Sequence, residues 1–140
     1  MDGHELARSN VRQAEYRLTT ARIAFERGNY PYAVRQALER VELSLKACLR
    51  LVGIEPPKWY DVSPIIRRER ENFPEWFKVH VERIVSISRS LRKERELAMY
   101  DGEESKIPPE ELYTRFDAEK AIEDAGFVLE IARRLLKEFA

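Results

Sequence analysis

The chain has 140 residues with 25 basic and 25 acidic side chains, a formal net charge of zero and a single cysteine. That length suits one domain, residues 1–140, with a core that needs no metal or disulfide staple. Zero net charge excludes a global field that would draw in nucleic acid or a membrane, and DNA is not expected as a partner; the lone Cys48 excludes an internal disulfide or a cysteine-based zinc cluster.

In the first segment Ala7, Val11, Ala14, Leu18, Ala21 and Phe25 recur at alternating spacings of four and three, one continuous stripe on a helix. Gly28-Asn29 stops it, because both residues tolerate left-handed dihedrals. Pro31 suits the first turn of a second helix, whose stripe is Val34, Leu38, Val41, Leu45, Cys48 and Val52. Gly53 ends that helix and Pro56-Pro57 prevents a restart. Each helix is about 20 residues, or roughly 30 Å long, and the short turn between them predicts antiparallel packing.

Ser63-Pro64 reads as an N-cap followed by proline at the first helical position, opening a short helix over 64–70. Pro74 begins a longer helix with Phe77, Val81, Ile84, Ile87, Leu91 and Ala98 on its buried side, ended by Asp101-Gly102. Residues 101–115 form the longest irregular stretch, with room for one turn at 109–112. Thr114 and Asp117 resemble a capping box in which Asp replaces the usual Glu or Gln. The last helix turns Ala121, Ala125, Val128, Ala132, Leu135 and Phe139 inward. No strand alternation and no glycine-rich phosphate loop occurs. The fold class is all-α, an up-down bundle of four main helices plus a short helix.

Charge is uneven along the chain. Residues 67–96 carry nine Lys/Arg against six Asp/Glu, and residues 101–124 carry nine acids against three bases. A weakly basic face beside an acidic one suits a self-complementary or protein-partner surface better than a polyanion groove, although solvated helix faces give the same pattern. Ala14, Ala21, Ala33, Ala37, Ala121 and Ala125 permit close helix approach, within a subunit or between two. A homodimer is expected. With neither a leader segment nor a long apolar run, the chain is expected to be soluble and cytoplasmic and not to bind membranes. Abundant charge with scarce Asn, Gln and Cys fits a thermophile.

Three stretches carry a family resemblance. AEYRLTTARIAFERGNYPYAVRQALERVELSLKACLRLVG (14–53) has a small-residue first helix, a G-x-Y turn and an alanine-rich second helix running into E-x-x-L-K-A. RELAMYDGEE (95–104) is similar to an R-x-x-A-x-Y-G segment, and IPPEELYTRFDAEKAIEDAGFVLEIARRLL (107–136) looks like a closing helix. Together these resemble the HEPN domain family, in its archaeal stand-alone form. The resemblance implies a helical bundle and one of several roles. Many members are metal-independent RNases whose Arg-x4–6-His motif meets across a dimer. Others bind nucleotides, or pair with a small nucleotidyltransferase as a toxin–antitoxin-like couple.

The RNase motif lacks its histidine here. Arg95 keeps the spacing of four, but residue 100 is tyrosine, and no histidine lies five to seven positions after any arginine. Tyr60-Asp61-Val62 likewise has tyrosine where the family's H-D-[LV] has histidine. RNA cleavage needs a group that exchanges a proton near neutrality; tyrosine's ordinary pKa of about 10 lies roughly three pH units, about 4 kcal/mol, away.

Arg95 falls on the inward stripe between Leu91 and Ala98. It reads either as a bundle-end arginine paired with a carboxylate or as a phosphate clamp with Arg92, Tyr100 and Asp101 beside it. Glu42 and Lys46 read as a surface ion pair. Lys58-Trp59-Tyr60 reads as a plug over the bundle end or a base-stacking cluster. Trp76-Phe77 reads as core, and Glu103-Glu104 as solvated carboxylates. The expected function is a nucleotide- or RNA-binding module at Arg92, Arg95, Tyr100 and Asp101, with a nucleotidyltransferase partner. A ligand-free protein-interaction module is the alternative, and an atypical RNase ranks behind both. No catalytic residue, metal or cofactor is assigned.

Overall fold

The computed structural model describes residues 2–58, 61–105 and 108–139; of residues 95–105 and 109 it describes the backbone alone. Among the described residues there are six α-helices, two 3-10 turns and no strand. The helices are α1 (Gly3–Glu26), α2 (Tyr30–Leu51), α3 (Ser63–Arg68), α4 (Glu75–Lys78), α5 (Val81–Ser105) and α6 (Arg115–Phe139). The 3-10 turns are Arg70–Asn72 and Pro109–Glu111, the second where the sequence leaves room for one turn.

The caps follow from local chemistry. The Asp2 carboxylate accepts the Glu5 N–H at 2.8 Å and starts α1. Gly28, at φ +75, carries the chain out of α1 through backbone that a side chain would strain. Asn29 then caps α2 by accepting the Tyr32 N–H, and Pro31 lies in the first turn. Gly53, at φ +83, plays the same part after α2. Thr114 and Asp117 form the reciprocal box: the Asp117 carboxylate accepts the Thr114 N–H at 2.9 Å, and the Thr114 hydroxyl accepts the Asp117 N–H at 3.1 Å.

The topology is up-down-up-down. α1 and α2 run antiparallel: Thr20 donates to Gln36 at 2.6 Å and Arg50 donates to Asn10 at 2.7 Å. α6 runs antiparallel to α1, with Arg133 2.7 Å from Glu15 and Arg115 over the Phe25 ring. α5 runs antiparallel to α6: His80 and Arg83 lie against Phe127 at the start of α5, and the Tyr113 hydroxyl donates to the Glu94 carbonyl farther along it. α2 is the centre. Its expected stripe is buried from Val34 to Cys48, with Val52 half-buried. A second stripe, Ala33, Ala37, Arg40, Ser44, Ala47 and Leu51, is buried as well. No helix among the described residues is long and apolar enough to cross a membrane.

Four expectations are corrected. The helix opened by Pro74 is two: α4 stops at Lys78 and α5 starts at Val81. α4 is anchored by Phe77, whose ring stacks on Phe73 at 4.1 Å, and by Lys78, held by Glu71 and Glu75, while Val79 between the helices is 78% exposed. Asp101-Gly102 does not stop α5, which continues to Ser105; a helical glycine costs about 1 kcal/mol without forbidding the helix. Ser63 lies inside α3 and does not cap it; Asp61 accepts both its N–H and its hydroxyl. Phe139 is outside the core, as are parts of Leu18 and Phe25.

Phe77 is the largest fully buried side chain. Phe77→Ala is expected to destabilise the fold by about 3–5 kcal/mol, read as the shift of the midpoint in urea denaturation.

Candidate functional site

The best-defined polar cluster lies where α2, α3 and α5 meet, and Asp61 is its hub. One Asp61 oxygen accepts the Ser63 N–H at 3.0 Å and the Ser88 hydroxyl at 3.1 Å, and the other accepts the Ser63 hydroxyl at 3.0 Å. Ser63 and Ser88 are buried. Arg92 lies over the hub, with Nε 3.3 Å from Asp61 and NH2 3.2 Å from Glu42 of α2. The Nε is well placed for charge attraction to Asp61 but makes no aligned hydrogen bond. The pairing seen for Glu42 is thus across to α5, not along α2 to Lys46.

Arg92 therefore lies between two carboxylates that pin the first half of α5 to the body of the bundle. The Arg95, Tyr100 and Asp101 side chains lie outside the described residues, as do Trp59, Tyr60, Glu103 and Glu104. The backbone of 95–101 is helical. Along a regular helix, positions 95 and 100 are separated by about 140° around the axis and roughly 7.5 Å along it. One straight helix does not gather these two positions on a common face. Positions 92 and 95 are about 60° apart and do share a side.

The cavity beside this part of α5 is small, about 90 Å3, and is lined by Ser90, Leu91, Glu94, Tyr113, Asp117 and Asp124 among others. Ligand pockets for drug-sized molecules hold about 300–1,000 Å3, and the lining is acidic. This cavity is therefore too small for a nucleotide. Cys48 is fully buried, and burial pushes its thiol up to about 12, which rules out thiolate chemistry near neutrality. Among the described residues no cluster of three or more His, Cys, Asp or Glu could hold a metal ion.

Two residues of this picture were missed in the sequence. Asp61 reads in the sequence only as part of an altered family motif; an Asp two residues before Ser-Pro is the available sign of a helix-start acceptor. Arg40 is the other. It is 2% exposed, and its Nε and NH1 have no hydrogen-bond partner among the described residues. The available signal was an arginine amid the Ala33, Ala37, Ser44 and Ala47 stripe of α2.

The HEPN domain family pattern matches residues 7–135. A Methanocaldococcus jannaschii protein whose name marks it as a candidate toxin, MJ1304, is 30% identical over 134 residues, covering 91% of this chain and 86% of its own. No solved structure matches the chain significantly.

Asp61→Ala would leave the buried Ser63 and Ser88 groups without their acceptor and Arg92 with one carboxylate fewer. The expected loss is about 2–4 kcal/mol, and Asp61→Asn, which retains acceptor capacity, is expected to lose less; chemical denaturation of the two variants checks the order.

Proposed function

The chain belongs to the HEPN domain family, and on that premise we propose that it is a binding component of a toxin–antitoxin-type pair. In this reading it holds a nucleotide or RNA phosphate with Arg92, Arg95, Tyr100 and Asp101, and it works in the cytoplasm as a homodimer with a small nucleotidyltransferase as partner. The observation that carries the role is the similarity to a candidate toxin along nearly the whole chain.

Two physical points support the site. Arg92 anchors α5 from below through Asp61 and Glu42, so the helical segment beyond it is presented from a rigid base. The angular separation of positions 95 and 100 favours a two-fold seam, in which position 95 of one subunit meets position 100 of the other. The chemistry favours binding over cleavage. An arginine fork suits phosphate, whereas tyrosine is a poor proton carrier at neutrality.

A second reading, a ligand-free interaction module, is favoured by a different surface. Ile23 and Tyr32 are 46% and 40% exposed and flank a groove of about 500 Å3 between α1 and the start of α2. Tyr16, 70% exposed, continues the same side of α1.

Calorimetric titration of ATP and of a short RNA into wild type and Arg95→Ala distinguishes the two. The binding reading expects micromolar affinity that falls at least about tenfold, ~1.4 kcal/mol, in the variant, with the melting temperature little changed. No heat with either ligand would move the function to the interaction module.

A further inference from the structure

Arg40 is the buried charge that neither the fold nor the α5 site explains. It lies about 200° around α2 from Glu42, and so faces away from Arg92 and α5. The charges that act on its guanidinium are Arg133 and Glu130 of α6 and Arg22 of α1. Arg40 therefore lies on the side of α2 that packs against α1 and α6. Both neighbouring carboxylates of the groove between those helices are already taken: Arg133 pairs with Glu15 at 2.7 Å and also with Glu130. Burial, with Arg133 and Arg22 adding repulsion, pushes the Arg40 guanidinium down to about 10, so it is still charged at neutral pH.

A buried, charged fork with unserved donors is costly unless an acceptor reaches it. The surroundings indicate what kind. Arg22, Arg40 and Arg133 stand against Glu15 and Glu130, which leaves an excess of positive charge. On α6, Gly126 shares the Glu130 and Arg133 side of the helix, and a β-carbon there would meet nothing within 4 Å. Next to Arg133 the groove opens into a space of about 650 Å3 lined by Arg8, Arg134 and Lys137 as well. Water could serve the donors but would not neutralise the charges. A tetrahedral oxyanion does both, because its oxygens match the guanidinium fork.

We propose that Arg40, Arg22 and Arg133 form a phosphate-group site at the floor of the α1–α6 groove, on the opposite side of α2 from the α5 site. The row Arg133, Arg134, Lys137 and Arg8 beside it allows the phosphate to be free or part of a nucleic-acid backbone. Arg133, 37% exposed, is the side chain that must swing to admit it.

The test is thermal melting of the full chain in sodium phosphate against sodium chloride at equal ionic strength, with isothermal titration of inorganic phosphate. Wild type is expected to gain a few degrees with phosphate. Arg40→Met is expected to lose that gain while melting no lower than wild type in chloride, because a buried unpaired charge has been replaced by an apolar chain. The difference in phosphate gain between Arg95→Ala and the double variant Arg95→Ala/Arg40→Met is expected to equal the difference between wild type and Arg40→Met, which separates this site from the proposed α5 function whatever phosphate the α5 site itself takes. A phosphate dependence that is absent in wild type, or undiminished in Arg40→Met, would overturn the proposal. Should Arg40→Met not fold, the surface variants Arg22→Gln and Arg133→Gln carry the test. A loss of affinity of about tenfold in either supports the site, and unchanged affinity in both overturns it. A short oligonucleotide at equal phosphate concentration discriminates the source. Stronger Arg40-dependent stabilisation than by inorganic phosphate assigns the site to a nucleic-acid backbone, and equal or weaker stabilisation assigns it to free phosphate.

Discussion

α2 turns little of its length to water, and that constraint governs the rest of the bundle. An ordinary amphipathic helix sends its polar residues outward; α2 is packed by α1, α5 and α6 and buries polar residues among its apolar ones. Each buried polar group must then find a partner inside. Gln36 does so with Thr20 and Glu39, and the Ser44 hydroxyl donates to the carbonyl of Arg40 one turn back. Glu42 reaches Arg92. Arg50 and Arg92 each leave a buried Nε without a hydrogen-bond partner among the described residues, but each has other guanidinium nitrogens paired, whereas Arg40 leaves both Nε and NH1.

The same constraint explains how the bundle orients α5. Among its described side chains, the first half of α5 is held by Val81, Ile84, Val85 and Ile87 in the core and by the Asp61–Arg92–Glu42 contacts at the edge. Asp61 ties this root to the start of α3 through Ser63. One carboxylate thus couples the loop after α2, the short α3 and the long α5.

The parts of this structure that were legible in the sequence are those with a strong local cause. The 4/3 stripes of α1, α2 and α6 were legible because apolar spacing dictates which side faces a neighbour. The turn at Gly28-Asn29, the stop at Gly53 and the Thr114–Asp117 box were legible because caps act within four residues. What was missed is decided at longer range. The α4–α5 break depends on the Phe73–Phe77 stack and the Lys78 pairs, which an unbroken apolar stripe through residue 77 conceals. The run of α5 past Asp101-Gly102 shows that a turn signal is a preference, and the surrounding helix can override it. The α2–α5 pairing of Glu42 is non-local, so the i,i+4 rule had pointed to Lys46 instead. Within the candidate site, the position of Arg92 on the helix is local information, and its two ion pairs are not, because nothing local ties residue 92 to residues 42 and 61.

Arg92 and Arg40 are the same kind of side chain reached from opposite sides of α2, and comparing them separates structural charge from available charge. Arg92 meets two carboxylates, is partly open to water, and holds three elements in place. Arg40 is more deeply buried, meets two further arginines, and competes for carboxylates that Arg133 already holds. An arginine on an apolar stripe is thus explained by its acceptors, not by its position. Where the fold supplies them the residue is a strut. Where the fold collects cations around it and no described residue serves its buried donors, an oxyanion from outside the chain fits the place.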